Sequence, residues 1–133
     1  MSHNIEGFWI LHIGDVDQPK FIDGQSSSGV LILEAGRVFG GDSRFYWSGQ
    51  YQVNGRHVTG SAKSTHYSGR QMTVFGLDIR QADFSLAAIR TDEATIHGNV
   101  SATSFDGHPA PAGSPYRPVW LKKVEDLPLN WVH

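Results

Sequence analysis

Apolar and polar residues alternate along most of the chain with the two-residue period of β-strands, interrupted by glycine-rich turns. In the first such segment, Ile5, Gly7, Trp9, Leu11 and Ile13 fall on one face and Phe8, Ile10 and His12 on the other. Both faces are mostly apolar, which predicts a core on one side and a second cover on the other. Gly29-Val30-Leu31-Ile32-Leu33-Glu34 repeats this double apolarity. Ala35-Gly36 turns the chain into Arg37-Val38-Phe39, and Gly40-Gly41-Asp42-Ser43 supplies a further backbone break. Beyond Phe45, Gly49, Tyr51 and Val53 share one face while Gln50 and Gln52 share the other. Asn54-Gly55 predicts a type I′ hairpin turn, since both residues tolerate positive φ.

The partner strand, Arg56 to Tyr67, sets Val58, Gly60, Ala62, Ser64 and His66 inward and leaves its polar set, including His57, Thr59 and Lys63, in water. Gln71 to Leu77 reads as a weaker strand, and Ala82 to Arg90 groups Phe84, Leu86 and Ala88. Ala94 to Thr103 alternates cleanly, Thr91-Asp92-Glu93 reads as the turn before it, and Val119 to Lys123 is the last strand. Residues 14–28 read as a solvated loop insertion, with a lid over a barrel mouth as the alternative. Residues 106–118 form a Pro-rich loop, and 124–133 a tail that docks on the barrel or a partner. About eight strands, tight turns and no long helix predict one all-β domain over 1–133. The expected architecture is an antiparallel up-and-down eight-stranded β-barrel, whose closure removes exposed edges; an open sandwich is the alternative.

Composition narrows the chemistry. The chain has no cysteine, which removes disulfides, thiolate zinc sites and cysteine nucleophiles. A net charge of −2 without a basic cluster argues against direct nucleic-acid binding. The longest apolar run, Phe8 to Ile13, is far shorter than the roughly 18 residues that cross a membrane. Without signal-peptide flanks, it predicts a cytoplasmic address and no membrane partner. His57, His66, His97 and His108 lie in separate elements without ligand spacing, so neither a metal nor a cofactor is expected. Asp42-Ser43 has no assigned base and reads as a hydrogen-bonded turn. Asp15 and Asp17 lack calcium-loop spacing, and Gly40-Gly41 lacks the helix and lysine of a phosphate loop. No residue is assigned a catalytic role, and the expectation is a non-enzymatic protein.

Two functional readings remain. In the first, Phe8, Ile10, Leu31 and Leu33 form an outer face through which a homodimer assembles and binds a protein partner. In the second, Trp9, Leu11, Ile32, Tyr51, Val58, Ala62, Phe84 and Ile96 line a cavity for a small apolar ligand. The small inward residues Gly60, Ala62, Gly98 and Ala102 favour that cavity.

Gly7-Phe8-Trp9 resembles the Gly-x-Trp signature of lipocalin-type barrels. That likeness implies that Trp9 plugs the closed end beneath an arginine late in the chain, here Arg117. The run from Gly29 to Tyr67 resembles the GrlR-like family of small bacterial negative regulators of type III secretion genes. It carries Gly40-Gly41-Asp42-Ser43, Tyr46, the Gly-x-Tyr of Gly49 and Tyr51, then Asn54-Gly55 and a polar strand. The resemblance implies a lipocalin-like barrel that dimerises and regulates transcription by binding a transcriptional activator. In the family an exposed acidic cluster carries that contact. This chain has no Glu-Asp-Glu-Asp run; Asp92-Glu93 and Glu125-Asp126 read as turn and tail residues.

Overall fold

The structure, a computed structural model, describes residues 5–14, 27–69, 79–110 and 116–126. Within them lie β1 (Gly7–Ile13), β2 (Ser27–Glu34), β3 (Arg37–Gly41), β4 (Phe45–Asn54) and β5 (His57–His66). These are followed by β6 (Gln81–Asp92), β7 (Thr95–Phe105), β8 (His108–Pro109) and β9 (Tyr116–Asp126). No helix occurs among the described residues. Each strand from β1 to β7 pairs antiparallel with the next, and β9 lies between β7 and β1. The sheet therefore closes into an eight-stranded up-and-down barrel rather than an open sandwich, with β8 a short extension on β7.

Register decides which side chains face in. Directly opposed residues of an antiparallel pair share a face. Trp9 lies opposite Leu31 and Gly7 opposite Leu33, so both leucines point inward, where they are 6% and 3% exposed. This corrects the expectation that set Leu31 and Leu33 outside and Ile32 in the interior. Glu34 held the signal: it has the parity of Val30 and Ile32, and an exposed carboxylate marks that set as the outer one. On β5 the expected inward set holds, with Val58 and Ser64 buried and Thr59 and Lys63 exposed.

Three turns differ from expectation. Asn54 pairs with His57, so Gly55 and Arg56 are the central residues of the β4–β5 turn. Only Gly55 has positive φ (64°), the requirement of a type II′ rather than a type I′ turn. The β6–β7 turn falls at Glu93-Ala94, between the paired Asp92 and Thr95. The break after β3 falls at Asp42-Ser43-Arg44, one step beyond the glycine pair. Asp42 shapes it, accepting hydrogen bonds from the Arg44 and Phe45 amides through Oδ1 at 2.8 and 2.7 Å. That bears out the hydrogen-bonded turn expected of Asp42-Ser43.

The region read as one Pro-rich loop begins with an Asp106-Gly107 turn and β8, and its last residues already belong to β9. β9 likewise runs through Asp126, three residues into the expected tail. The rest of the tail, most of the 14–28 insertion and the expected strand at Gln71 to Leu77 lie outside the described residues.

The two rims differ. At the end where β1 begins, Ala35-Gly36, Gly55-Arg56 and Glu93-Ala94 make two-residue turns. At the opposite rim, three of the four connections are long. Gly49 faces the interior with no room for a side chain: a Cβ there would sit 1.9 Å from the Ser61 carbonyl oxygen of β5. A Cβ on Gly40 would lie as close to the Val30 carbonyl oxygen. These glycines serve close backbone approach in a tightly coiled wall. Gly49→Ala should therefore destabilise the barrel by about 1–3 kcal/mol, the usual cost of overpacking, read as a lowered denaturation midpoint; an unchanged midpoint would contradict the close approach.

Candidate functional site

The barrel interior holds a cavity of about 100 Å³. Leu11, Tyr51, Val58, Ala62, Phe84 and Ile96 line it, as expected from the alternation. Side chains that the sequence reading did not assign to the cavity join them, among them Leu31, Leu33, Val38, Trp47, Val119 and Leu121. Ile32 does not, because it faces out beside Phe8. Ile13, Trp47 and Phe84 line the cavity yet are only half-buried, on the side towards the rim of long connections.

Trp9 is completely buried but lies apart from the cavity wall, at the rim of short turns. Its Nε1 donates to the Ile5 carbonyl at 2.9 Å, which ties the start of the chain across that end. The cation beside it is Lys123, its register partner on β9, with Nζ 5.8 Å from the indole centroid. This corrects the assignment of that part to Arg117, which pairs with Val100 towards the opposite rim. A bulge at Val124 and an ion pair to Asp126 hold Lys123 in place.

The wall is almost wholly apolar, with the Tyr51 phenol its polar side-chain group; Gln50 and Ser61 border the cavity, but their side chains face out. Water needs two to four polar partners and roughly 10–15 Å³ apiece; here it would find room but few partners. Apolar cavities of roughly 150 Å³ take up a single aromatic ring, whereas drug-sized ligands fill roughly 300–1,000 Å³. The interior is thus a small, almost wholly apolar space.

The outer surface of β1, β2 and β3 carries a second feature. Ile10, Val30 and Phe39 are 47%, 43% and 39% exposed, and Phe8 and Ile32 lie half-buried among them. Phe8 and Ile10 stand where the expected interface placed them; Val30, Ile32 and Phe39 replace Leu31 and Leu33. Arg37 stacks its guanidinium 5.3 Å from the Phe39 ring centre. Towards the opposite rim the band continues in His12 and Trp120, with His97 stacked on Trp120 at 3.9 Å.

The histidines act singly. His57, His97 and His108 are exposed, and His66 packs edge-on against Phe45 with Nε2 2.8 Å from the Gly69 carbonyl oxygen. Among the described residues no group of three His, Asp or Glu side chains is placed to hold a metal. Of the residues carrying the family resemblance, Gly40, Gly41, Asp42, Ser43 and Gly49 build the β3–β4 corner and the wall. Tyr46 is exposed on the outer face, and Tyr51 is buried inside.

Comparison with protein-family models and with curated proteins returns no match. The fold itself defines the class: a lipocalin-like up-and-down β-barrel with an apolar interior. No helix among the described residues is long and apolar enough to cross a membrane.

Tyr51 links the interior to pH. Burial pushes its phenol above the ordinary value near 10, outweighing the hydrogen bond from the Gly36 backbone; the Glu6 and Glu34 carboxylates add to the rise. The folded protein therefore holds this proton to higher pH than the unfolded chain does. That part of the stability is full below about pH 10 and is lost as pH rises through the folded value. Denaturation midpoints should fall more steeply above about pH 10 in the wild type than in Tyr51→Phe; parallel curves would show that burial does not act on this phenol.

Proposed function

We propose that this chain is a non-enzymatic regulatory protein that acts by protein–protein contact through the outer face of β1, β2 and β3. The contiguous outer band of Phe8, Ile10, Val30, Ile32 and Phe39, with Ile10, Val30 and Phe39 exposed, carries this reading. Three neighbouring strands of a closed barrel have no structural need for apolar residues on both faces, and such patches mark binding surfaces. The resemblance to GrlR-like regulators supplies the kind of function, control of transcription through a bound regulator in the bacterial cytoplasm. Its acidic contact has no counterpart here, so the apolar band takes that place in the proposal. The substitution Ile10→Glu puts a charge at the centre of the band without touching the core. Source cells carrying it should match a deletion of the gene in their transcript profile, with the β-sheet circular dichroism intact; a wild-type profile would sink the reading.

A second reading is favoured by the cavity: the barrel takes up one small, uncharged, apolar molecule. Toluene should shift the NMR signals of Trp47 and Phe84, and Ala62→Phe, which fills the space, should abolish the shift. Uptake unaffected by Ala62→Phe would place the probe elsewhere.

A further inference from the structure

The Asn54-Gly55 pair at the tip of the β4–β5 hairpin carries a reaction of its own. It is the one Asn-Gly step in the sequence. Asparagine is thermolabile because the backbone nitrogen of the next residue can attack its side-chain carbonyl carbon. Glycine leaves that nitrogen unshielded, and the space at Gly55 is open: a Cβ there would meet nothing within 4 Å.

A strand paired on both sides holds its backbone extended and keeps the reacting atoms apart. β4 is not so held at this end. β3 pairs with it only as far as Arg37 opposite Gln50, with one further bond from the Tyr51 amide to the Gly36 carbonyl at 2.8 Å. Beyond that, Gln52, Val53 and Asn54 pair with β5 alone. Every residue from Gln52 to His57 is exposed. The turn is anchored on its other arm, where the Arg90 amide donates to the Arg56 carbonyl at 2.8 Å. Asn54 is therefore the last rung of an overhang, able to fray without disturbing the core.

Asp106-Gly107 makes the contrasting case. An aspartate before glycine can close the same ring, but Asp106 is tied to Gln81 in both directions. Its Oδ1 accepts from the Gln81 amide at 2.8 Å, and its own amide donates to the Gln81 carbonyl at 2.7 Å. Asn99 stands within β7, paired to β6 and β9, and precedes the branched, buried Val100.

We propose that Asn54 is a site of spontaneous deamidation in the folded protein, which converts the β4–β5 tip to a mixture of isoaspartate and aspartate. The Gly55 nitrogen gives its proton to solvent and bonds to Asn54 Cγ; the Cγ–Nδ2 bond breaks and Nδ2 leaves as ammonia. Water then opens the succinimide. Attack at Cγ gives aspartate, and attack at the main-chain carbonyl carbon gives isoaspartate. The net change is amide plus water to acid plus ammonia, with nothing oxidised or reduced. The new carboxylate lies opposite His57 and one turn residue from Arg56. In the isoaspartate form one arm of the hairpin is longer by a main-chain atom, so the rung to His57 cannot keep its register.

The test is peptide mapping of the full chain aged folded at mildly alkaline pH, beside the same chain aged in urea. Trypsin releases Phe45 to Arg56 as one peptide. Its amide-to-acid mass change should appear as two separable products, of which the isoaspartate form takes up labelled methyl from S-adenosylmethionine in the presence of isoaspartate O-methyltransferase. Because a fraying tip opens at little cost, the folded rate should lie within about tenfold of the rate in urea. Asn54→Gln, whose extra methylene disfavours ring closure, should abolish the change; its persistence would move the reaction to Gln50 or Gln52 and overturn the assignment. A folded protein that keeps its amide while the unfolded chain converts, products without methyl uptake, or isoaspartate at Asp106 ahead of Asn54 would each overturn the proposal as well.

Discussion

Closing eight strands on themselves forces each wall residue to stand either inside or outside, with no edge at which the pattern can lapse. Because β9 pairs with both β1 and β7, one choice of parity runs through the circuit and slips only at the bulges of the β1–β9 and β6–β7 pairs. Trp9 sets it. With the indole inside, register carries Leu31, Leu33 and Leu121 inside as well, and Val30, Ile32 and Ile10 have nowhere to go but the surface. The apolar cavity and the apolar outer band are consequences of that single constraint.

Strands with one wet face were legible from the sequence alone. Gln50 and Gln52 against Tyr51, or Thr59 and Lys63 against Val58, leave only one way to orient the segment, and the structure agrees. Six of the cavity residues followed from such strands and from Leu11. β2 is different because Val30, Leu31, Ile32 and Leu33 are apolar on both faces, so periodicity yields two sets without saying which is inside. The terminal Glu34 resolves that ambiguity. Trp47 was hidden in an aromatic triplet, where neighbouring rings on opposite faces look alike in sequence.

Long-range partners were less legible than faces. A cation late in the chain was expected beside Trp9, but Arg117 and Lys123 both stand on β9 with inward parity. Which of them meets the indole depends on the register of β9 against β1 and on the bulge at Val124. Neither is encoded locally. Turn positions show the same limit: Asn54-Gly55 announces a hairpin, yet its centre is moved one residue by the pairing of Asn54 with His57. The paired glycines at Gly40 and Gly41 read as a turn, whereas at Gly40 the need is proximity to the neighbouring strand.

The seam between β1 and β9 has a consequence for how the barrel assembles. Every other neighbouring pair in the wall is close in sequence and can form as a hairpin or a short meander, but this one brings Gly7 to Asp126. Loop-closure entropy grows with the logarithm of the intervening length, by about 0.6 kcal/mol for each doubling, so this pairing is the most demanding step. The contact of Lys123 with Trp9 lies on that seam. The plug of the narrow end is therefore also the latch of the ring, and weakening it would first show as faster unfolding, because contacts absent from the transition state govern the rate of opening rather than the rate of folding.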